Sequence, residues 1–133
     1  MLQELAKEAI LPAVSLPANN ILIDIVNPDW DGTPRIYITC EPTKTKDETQ
    51  FGAISAETLM RVTALAEERE EAQNLMQAAA HAVYAQFTVL EQTRHSGILC
   101  ITPVEHNTTQ VPDRNSFISF AVFRILHSPN LSP

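Results

Sequence analysis

Four histidines, two cysteines and sixteen carboxylates are the residues of this 133-residue sequence with chemistry to offer. The histidines are His81, His95, His106 and His127, and the cysteines are Cys40 and Cys100. None of them recurs at a zinc-ligand spacing, since there is neither a His-x-x-x-His nor a Cys-x-x-Cys. The run Glu67-Glu68-Arg69-Glu70-Glu71 holds paired carboxylates of the kind used in acid–base catalysis. Its place at the start of a helical stretch reads more simply as a solvated first turn matched to the helix dipole. Asp29, Asp31 and Gly32 loosely resemble the opening of a calcium loop, but the later ligand positions and the closing glutamate are missing. With three glycines in all, no phosphate cradle or nucleophile elbow is present. No catalytic, cofactor-binding or metal-binding residue is therefore assigned. An enzyme would require His81, His106 or a carboxylate pair to converge from distant elements.

The composition narrows the function further. Nine Lys and Arg against sixteen Asp and Glu give a net charge of −7. That balance disfavours nucleic-acid binding, which needs a basic face, and adhesion to anionic membrane. No window reaches the apolar length of a membrane-spanning helix, and Glu4, Lys7 and Glu8 do not suit a signal peptide. The expectation is a soluble cytoplasmic protein in which Cys40 and Cys100 are buried free thiols. A chain of this length buries roughly 68% of its unfolded surface and needs no disulfide or metal staple.

The elements that must position any site follow from hydrophobic periodicity. Leu2, Leu5, Ala6, Ala9 and Ile10 predict a short amphipathic helix over residues 2–10, with Gln3, Glu4 and Lys7 off its apolar face. Residues 21–26 and 34–40 read as strands, the second placing Ile36, Ile38 and Cys40 on one face and Arg35, Tyr37 and Thr39 on the other. Between them, 27–32 is dense in turn formers. Residues 41–50 are polar without period, and read as a loop or as a strand tip that leaves the sheet. Residues 55–68 fit a helix or a strand. A helix continuous with the next segment would be very long, so a strand over 58–66 is preferred. The stripe Ala72, Leu75, Met76, Ala79, Ala80 and Val83 predicts a helix over 68–85 that runs on at most to Ser96-Gly97, with Gly97 as its left-handed cap. Ile98–Ile101 reads as a short strand ending at Pro103, followed by a polar turn region over 105–115. Phe117–Leu126 is apolar on both faces apart from Ser119 and Arg124. Such a strand is covered on two sides, or on one side by a partner subunit.

The predicted fold is α+β, a mainly antiparallel sheet of four to five strands packed against an N-terminal helix and one long helix. It forms a single domain over 1–133, with the N-terminal helix in 1–11, sheet and main helix in 20–126, and a frayed tail over 127–133. From Pro34 onward the chain resembles the tail terminator or tail completion proteins of long-tailed bacteriophages. The features that carry the resemblance are the Pro-led strand Pro34-Arg35-Ile36-Tyr37-Ile38 and the polar excursion over 41–53. They continue with the alternating strand Met60–Ala66 running into Glu67–Ala72, a strand near Gly97-Ile98 and a closing strand after Asp113-Arg114. The run 21–26 is less typical of that family.

The resemblance implies a non-catalytic structural protein of the virion tail, assembled in the host cytoplasm. Copies would form a ring, commonly a hexamer, that caps the tail tube, ends its polymerisation and meets the head–tail connector protein. Its partners would be itself, the tail tube protein and the connector, without nucleic-acid sequence recognition. Interface candidates are Asp29, Trp30 and Asp31 in the turn, Lys44, Lys46 and Asp47 in the polar segment, and Arg61 and Arg69 as partners for a neighbour's acidic loops. Trp30 could equally plug the end of the core. The contrasting reading is a small α+β binding or regulatory module, an inhibitor or ligand sensor, marked by a concave pocket near the sheet with convergent polar groups.

Overall fold

A computed structural model of the chain describes residues 1–24, 32–49, 52–111, 116–129 and 131; for 44–49 and 52–54 it describes the backbone path. Two helices lie on one face of a five-stranded sheet. The elements run α1 (Leu2–Ile10), β1 (Ile21–Ile23), β2 (Arg35–Thr49), β3 (Gly52–Ala66), α2 (Arg69–Glu91), β4 (Ile98–Gln110) and β5 (Phe117–His127). The sheet order is β1-β2-β3-β5-β4. β1 joins β2 in parallel, and the other pairs are antiparallel. The α+β class, the mainly antiparallel sheet and both helices stand as expected.

The two-residue period of the strands decides which side chains meet the helices. Ile36 and Ile38 of β2, Met60, Val62 and Ala64 of β3, and Ala121, Phe123 and Ile125 of β5 all point to the helical side and are buried. α2 answers with Met76, Ala79, Val83 and Phe87, and α1 with Leu2, Ala6 and Ile10. Fully burying one such large aliphatic or aromatic side chain contributes about 1.5–3 kcal/mol, so this single interface supplies most of the driving force for folding. Residues 58–66 are strand, as the length consideration preferred. Glu70 and Glu71 stand in the first turn of α2, where the helix dipole favours them.

Several boundaries differ from expectation, each for a physical reason. Of the two readings of 41–50, the strand tip holds for 41–49, and the loop does not. These residues are the distal half of β2, paired to β3 as far as Thr49↔Gly52. Their lack of period arises because β1 covers only Ile36–Ile38 and β5 reaches β3 only from Ala56 onward. Beyond those points no second layer imposes an apolar face. β4 likewise does not end at Pro103 but runs to Gln110. It is an outer strand, where a residue without an N–H is tolerated, and the register shifts between Pro103 and Glu105. The resulting bulge turns Val104 outward, leaving it 47% exposed. Bulges and prolines of this kind discourage unwanted pairing at a sheet edge.

Gln3, expected off the apolar face of α1, is buried, and its Nε2 donates to Asp24 Oδ2 at 3.0 Å. Gly97 is not the cap of α2, which ends at Glu91. The Thr93 hydroxyl donates to Val89 O at 2.7 Å, and the Ser96 hydroxyl donates to Leu90 O, satisfying two of the last carbonyls. Gly97 instead takes a left-handed φ of 83° at the entry to β4. His127, expected at the start of a frayed tail, closes β5 and is buried. Ser128 N–H donates to Gly97 O at 2.7 Å, and Leu131 packs against the core.

A Cβ at Gly97 would lie 2.7 Å from Leu131 Cδ1. Gly97→Ala should therefore lose about 1–2 kcal/mol from the backbone alone, and more from displacing Leu131. Thermal unfolding followed by circular dichroism should show a midpoint lower by roughly 3–8 °C.

Candidate functional site

The helical layer covers one face of the sheet, and among the described residues the other is left open. On β5 the buried residues are 119, 121, 123, 125 and 127, while Ile118, Phe120, Val122 and Leu126 between them are half-buried. Leu59 and Leu65 of β3, Tyr37 of β2 and Leu22 of β1 share that open face by register and are also half-buried. The double-sided apolar character of β5 thus reflects one sealed face and one unsealed one. On this face half-buried apolar side chains alternate with the exposed charges of Glu41, Arg61, Glu105 and Arg124.

Arg61 lies in the middle of this face. It is exposed, opposite Thr39 of β2 and Val122 of β5, and its guanidinium sits 4.3 Å from the centre of the Phe120 ring. The stack fixes the cation over apolar surface without neutralising it. Thr39, Glu41, Leu59, Arg61, Glu105 and Val122 line a shallow concavity of about 450 Å³. Arg124 on the same face is already engaged, with its Nε 3.4 Å from Glu57 Oε1. Glu57 is buried, and it also accepts a hydrogen bond of 2.7 Å from the Thr43 hydroxyl at the register shift of β2.

Behind Glu57, on the helical side, Thr58 and His127 are buried together. Thr58 Oγ1 and His127 Nε2 are 2.8 Å apart, and His127 Nδ1 is 2.7 Å from Ser128 O. A carbonyl only accepts, so Nδ1 carries a proton; in the neutral ring Nε2 then accepts from the threonine hydroxyl. This polar belt crosses the sheet where β5 ends. Past it, β2 and β3 continue alone as a two-stranded arm from Lys46↔Ser55 to Thr49↔Gly52. At strand rise, four residues extend it by about 13 Å.

Of the residues singled out in the sequence, Arg61 stands on the open face, and Arg69 begins α2 beyond the end of β3. The two are not brought together on one element. Lys44, Lys46 and Asp47 lie on the distal half of β2. Asp29, Trp30 and Asp31 lie outside the described residues. Glu57 and Thr58 were missed because polar residues near a strand read as solvent-facing, and His127 because it was assigned to the frayed tail, whereas β2, β3 and β5 meet around them. His81 and His106 do converge, on a groove of about 430 Å³ between α2 and β4 that Tyr84 and Val104 also line. Both are exposed, and among the described residues no group of three or more His, Cys, Asp or Glu could hold a metal ion.

Cys40 and Cys100 are half-buried free thiols rather than fully buried ones. Burial, and after it the charge of Asp24, pushes the Cys40 thiol from its ordinary 9.0 up to about 12. The thiolate is the reactive species, so Cys40 is an inert packing group. At pH 8, iodoacetamide should alkylate Cys40 of the folded chain roughly a hundredfold or more slower than in the unfolded chain. Because the folded state holds this proton more tightly, its contribution to stability is complete below pH 9.0 and is lost as pH rises toward about 12. Urea unfolding at a series of alkaline pH values, compared with Cys40→Ala, reads that loss.

No known family model matches the chain, and no curated protein is similar to it. Among solved structures, its fold is similar to that of a chain in the virion of a native gene transfer agent particle. The match covers 95% of this chain and 93% of that one, with a TM-score of 0.55 and 18% sequence identity, a likeness of fold over nearly the whole of both chains.

Proposed function

We propose that this protein is a non-catalytic structural component of a phage-like particle, acting at the end of its tail. Copies assemble into a ring, of about six by the resemblance to tail terminators, that caps the tail tube and presents a surface to the head–tail connector. The observation that carries the reading is the open apolar sheet face beside a projecting two-stranded arm, in a fold shared end to end with a virion chain. A monomer has no use for either feature. An apolar face rimmed by charge suits contact with other proteins, and a polar arm that outruns its own sheet suits reaching one. The head–tail order of partners and the tail location follow from the resemblance of 34–126 to that family.

The groove between α2 and β4 is the feature that favours the alternative, a small binding or regulatory module. It is concave and lies against the sheet, and it carries Tyr84, His81 and His106. A ligand there would be bound by a monomer or dimer without need of the arm.

Two measurements separate the readings. Light scattering across protein and salt concentration should show a monomer converting to a closed ring of about six copies. A fixed monomer at every concentration, and in the presence of tail tubes, would refute the ring. Removing residues 46–55 and joining Thr45 to Ala56 through a two-residue turn keeps the register Thr45↔Ala56 intact. The shortened chain should unfold within a few degrees of the parent yet fail to assemble.

A further inference from the structure

The arm that β2 and β3 form beyond the sheet must leave it in one direction if it is to reach a defined partner. A two-stranded hairpin is marginally stable at best on its own in water, so its direction has to be set at its base. The backbone there is irregular. β5 pairs with β3 only as far as Ala56↔His127, and the pairing of β2 with β3 shifts between Pro42 and Lys44. Thr43 is the residue that the register skips. A bulge bends its strand and increases the local twist, which leaves the exit angle of the arm to the side chains around it.

Glu57 sits at this junction, opposite Lys44 of β2 and Leu126 of β5 by register. It is buried, although Leu59 and Arg61, which follow it on the same face of β3, are half-buried and exposed. Its carboxylate spans three strands. Oε2 accepts from the Thr43 hydroxyl of β2 at 2.7 Å, and Oε1 lies 3.4 Å from Arg124 Nε of β5. The Thr43 hydroxyl is also 3.2 Å from Glu57 O, so the bulged residue meets Glu57 at two points. Burying a carboxylate is costly unless it is paired and hydrogen-bonded, and an apolar side chain of similar volume fills such a place at less cost. What the carboxylate does and an apolar side chain cannot is tie Thr43 to Arg124, across β3, between two strands that are not neighbours in the sheet.

We propose that Glu57 is a positioning residue for assembly: by clamping Thr43 to Arg124 it fixes the direction in which the arm leaves the sheet, and so aims the arm at the next copy. This rests on the assembly role of the arm proposed above. It makes ring formation depend on a buried residue through the arm that residue holds. Hydrogen bonds to an ionised group are roughly twice as strong as neutral ones, so the clamp is strongest with the full carboxylate, weaker with an amide in its place and absent with a methyl group.

The test reads the arm and the assembly separately, by nitrogen-15 relaxation of the single copy and by light scattering. In the parent chain the amides of 46–49 and 52–55 should show order parameters near the value of about 0.85 typical of rigid backbone. Glu57→Ala should lower them below about 0.6 while Ile36–Ile38 and Met60–Ala64 keep the parent's values, and should weaken assembly at least tenfold. Thr43→Val changes an exposed residue and removes one side of the clamp, so it should give a smaller loss of both. Glu57→Gln keeps an acceptor for Thr43 and should stay closest to the parent. An arm equally ordered in Glu57→Ala and the parent, or already mobile in the parent, overturns the clamp whether or not a ring forms. Loss of order in Met60–Ala64 along with the arm makes Glu57 a residue of general stability and overturns it too. If the arm loosens as expected but Glu57→Ala still forms the ring equally well, the aiming role is wrong while the ring stands. If the parent chain stays monomeric under every condition, the aiming role falls with the ring.

Discussion

A sheet has two faces, and among the described residues the helices cover one of them. That inequality governs the rest of the molecule. α1 and α2 together cover one face, where Ile36, Ile38, Met60, Val62, Phe123 and Ile125 are shut away from water. The opposite face keeps Leu59, Phe120, Val122 and Leu126 half in solvent. Layered domains bury an apolar face against another element. Among the described residues this sheet buries one apolar face and leaves the other half in solvent.

The second organising feature is polar. At the end of β5 the sheet changes from a layered structure into a bare two-stranded arm, and buried polar groups mark the transition. Glu57 is held by Thr43 and Arg124 on one side of β3, and Thr58 is held by His127 on the other. Buried polar groups are costly unless hydrogen-bonded, and here each of these finds a partner supplied by a different strand. The belt locks the register of β2, β3 and β5 at the point where apolar packing runs out.

Charge follows the same division. The helical side gathers the acidic turn at the start of α2, while the other sheet face carries charge of both signs, with Glu41 and Glu105 lining the concavity that holds Arg61 and Arg124 paired to Glu57. The outer strand β4, by contrast, is broken by Pro103 and by register shifts, which discourage sheet-to-sheet addition. Association through faces is thus favoured over association through edges.

What the sequence determined by itself is everything that a local period can encode. The stripe of α2, the alternation of Ile36 and Ile38 and of Met60, Val62 and Ala64, and the acidic helix start all follow from side-chain spacing against a single buried face. The doubly apolar character of β5 was legible too, though not whether this chain covers both of its faces. Only the tertiary structure decided that 41–49 and 105–110 are strands, because their pairing comes from backbone hydrogen bonds to a neighbour rather than from a periodic apolar face. It also decided that Gln3, Glu57 and His127 are buried, since burial of a polar residue depends on partners such as Asp24, Arg124 and Thr58 that lie far away in the chain. The candidate site is divided in the same way. Arg61 could be picked out as a cation on an alternating strand, but its stacking on Phe120 and its place beside Glu41 and Glu105 exist only once β2, β3, β5 and β4 lie side by side, and only the sheet order places them there.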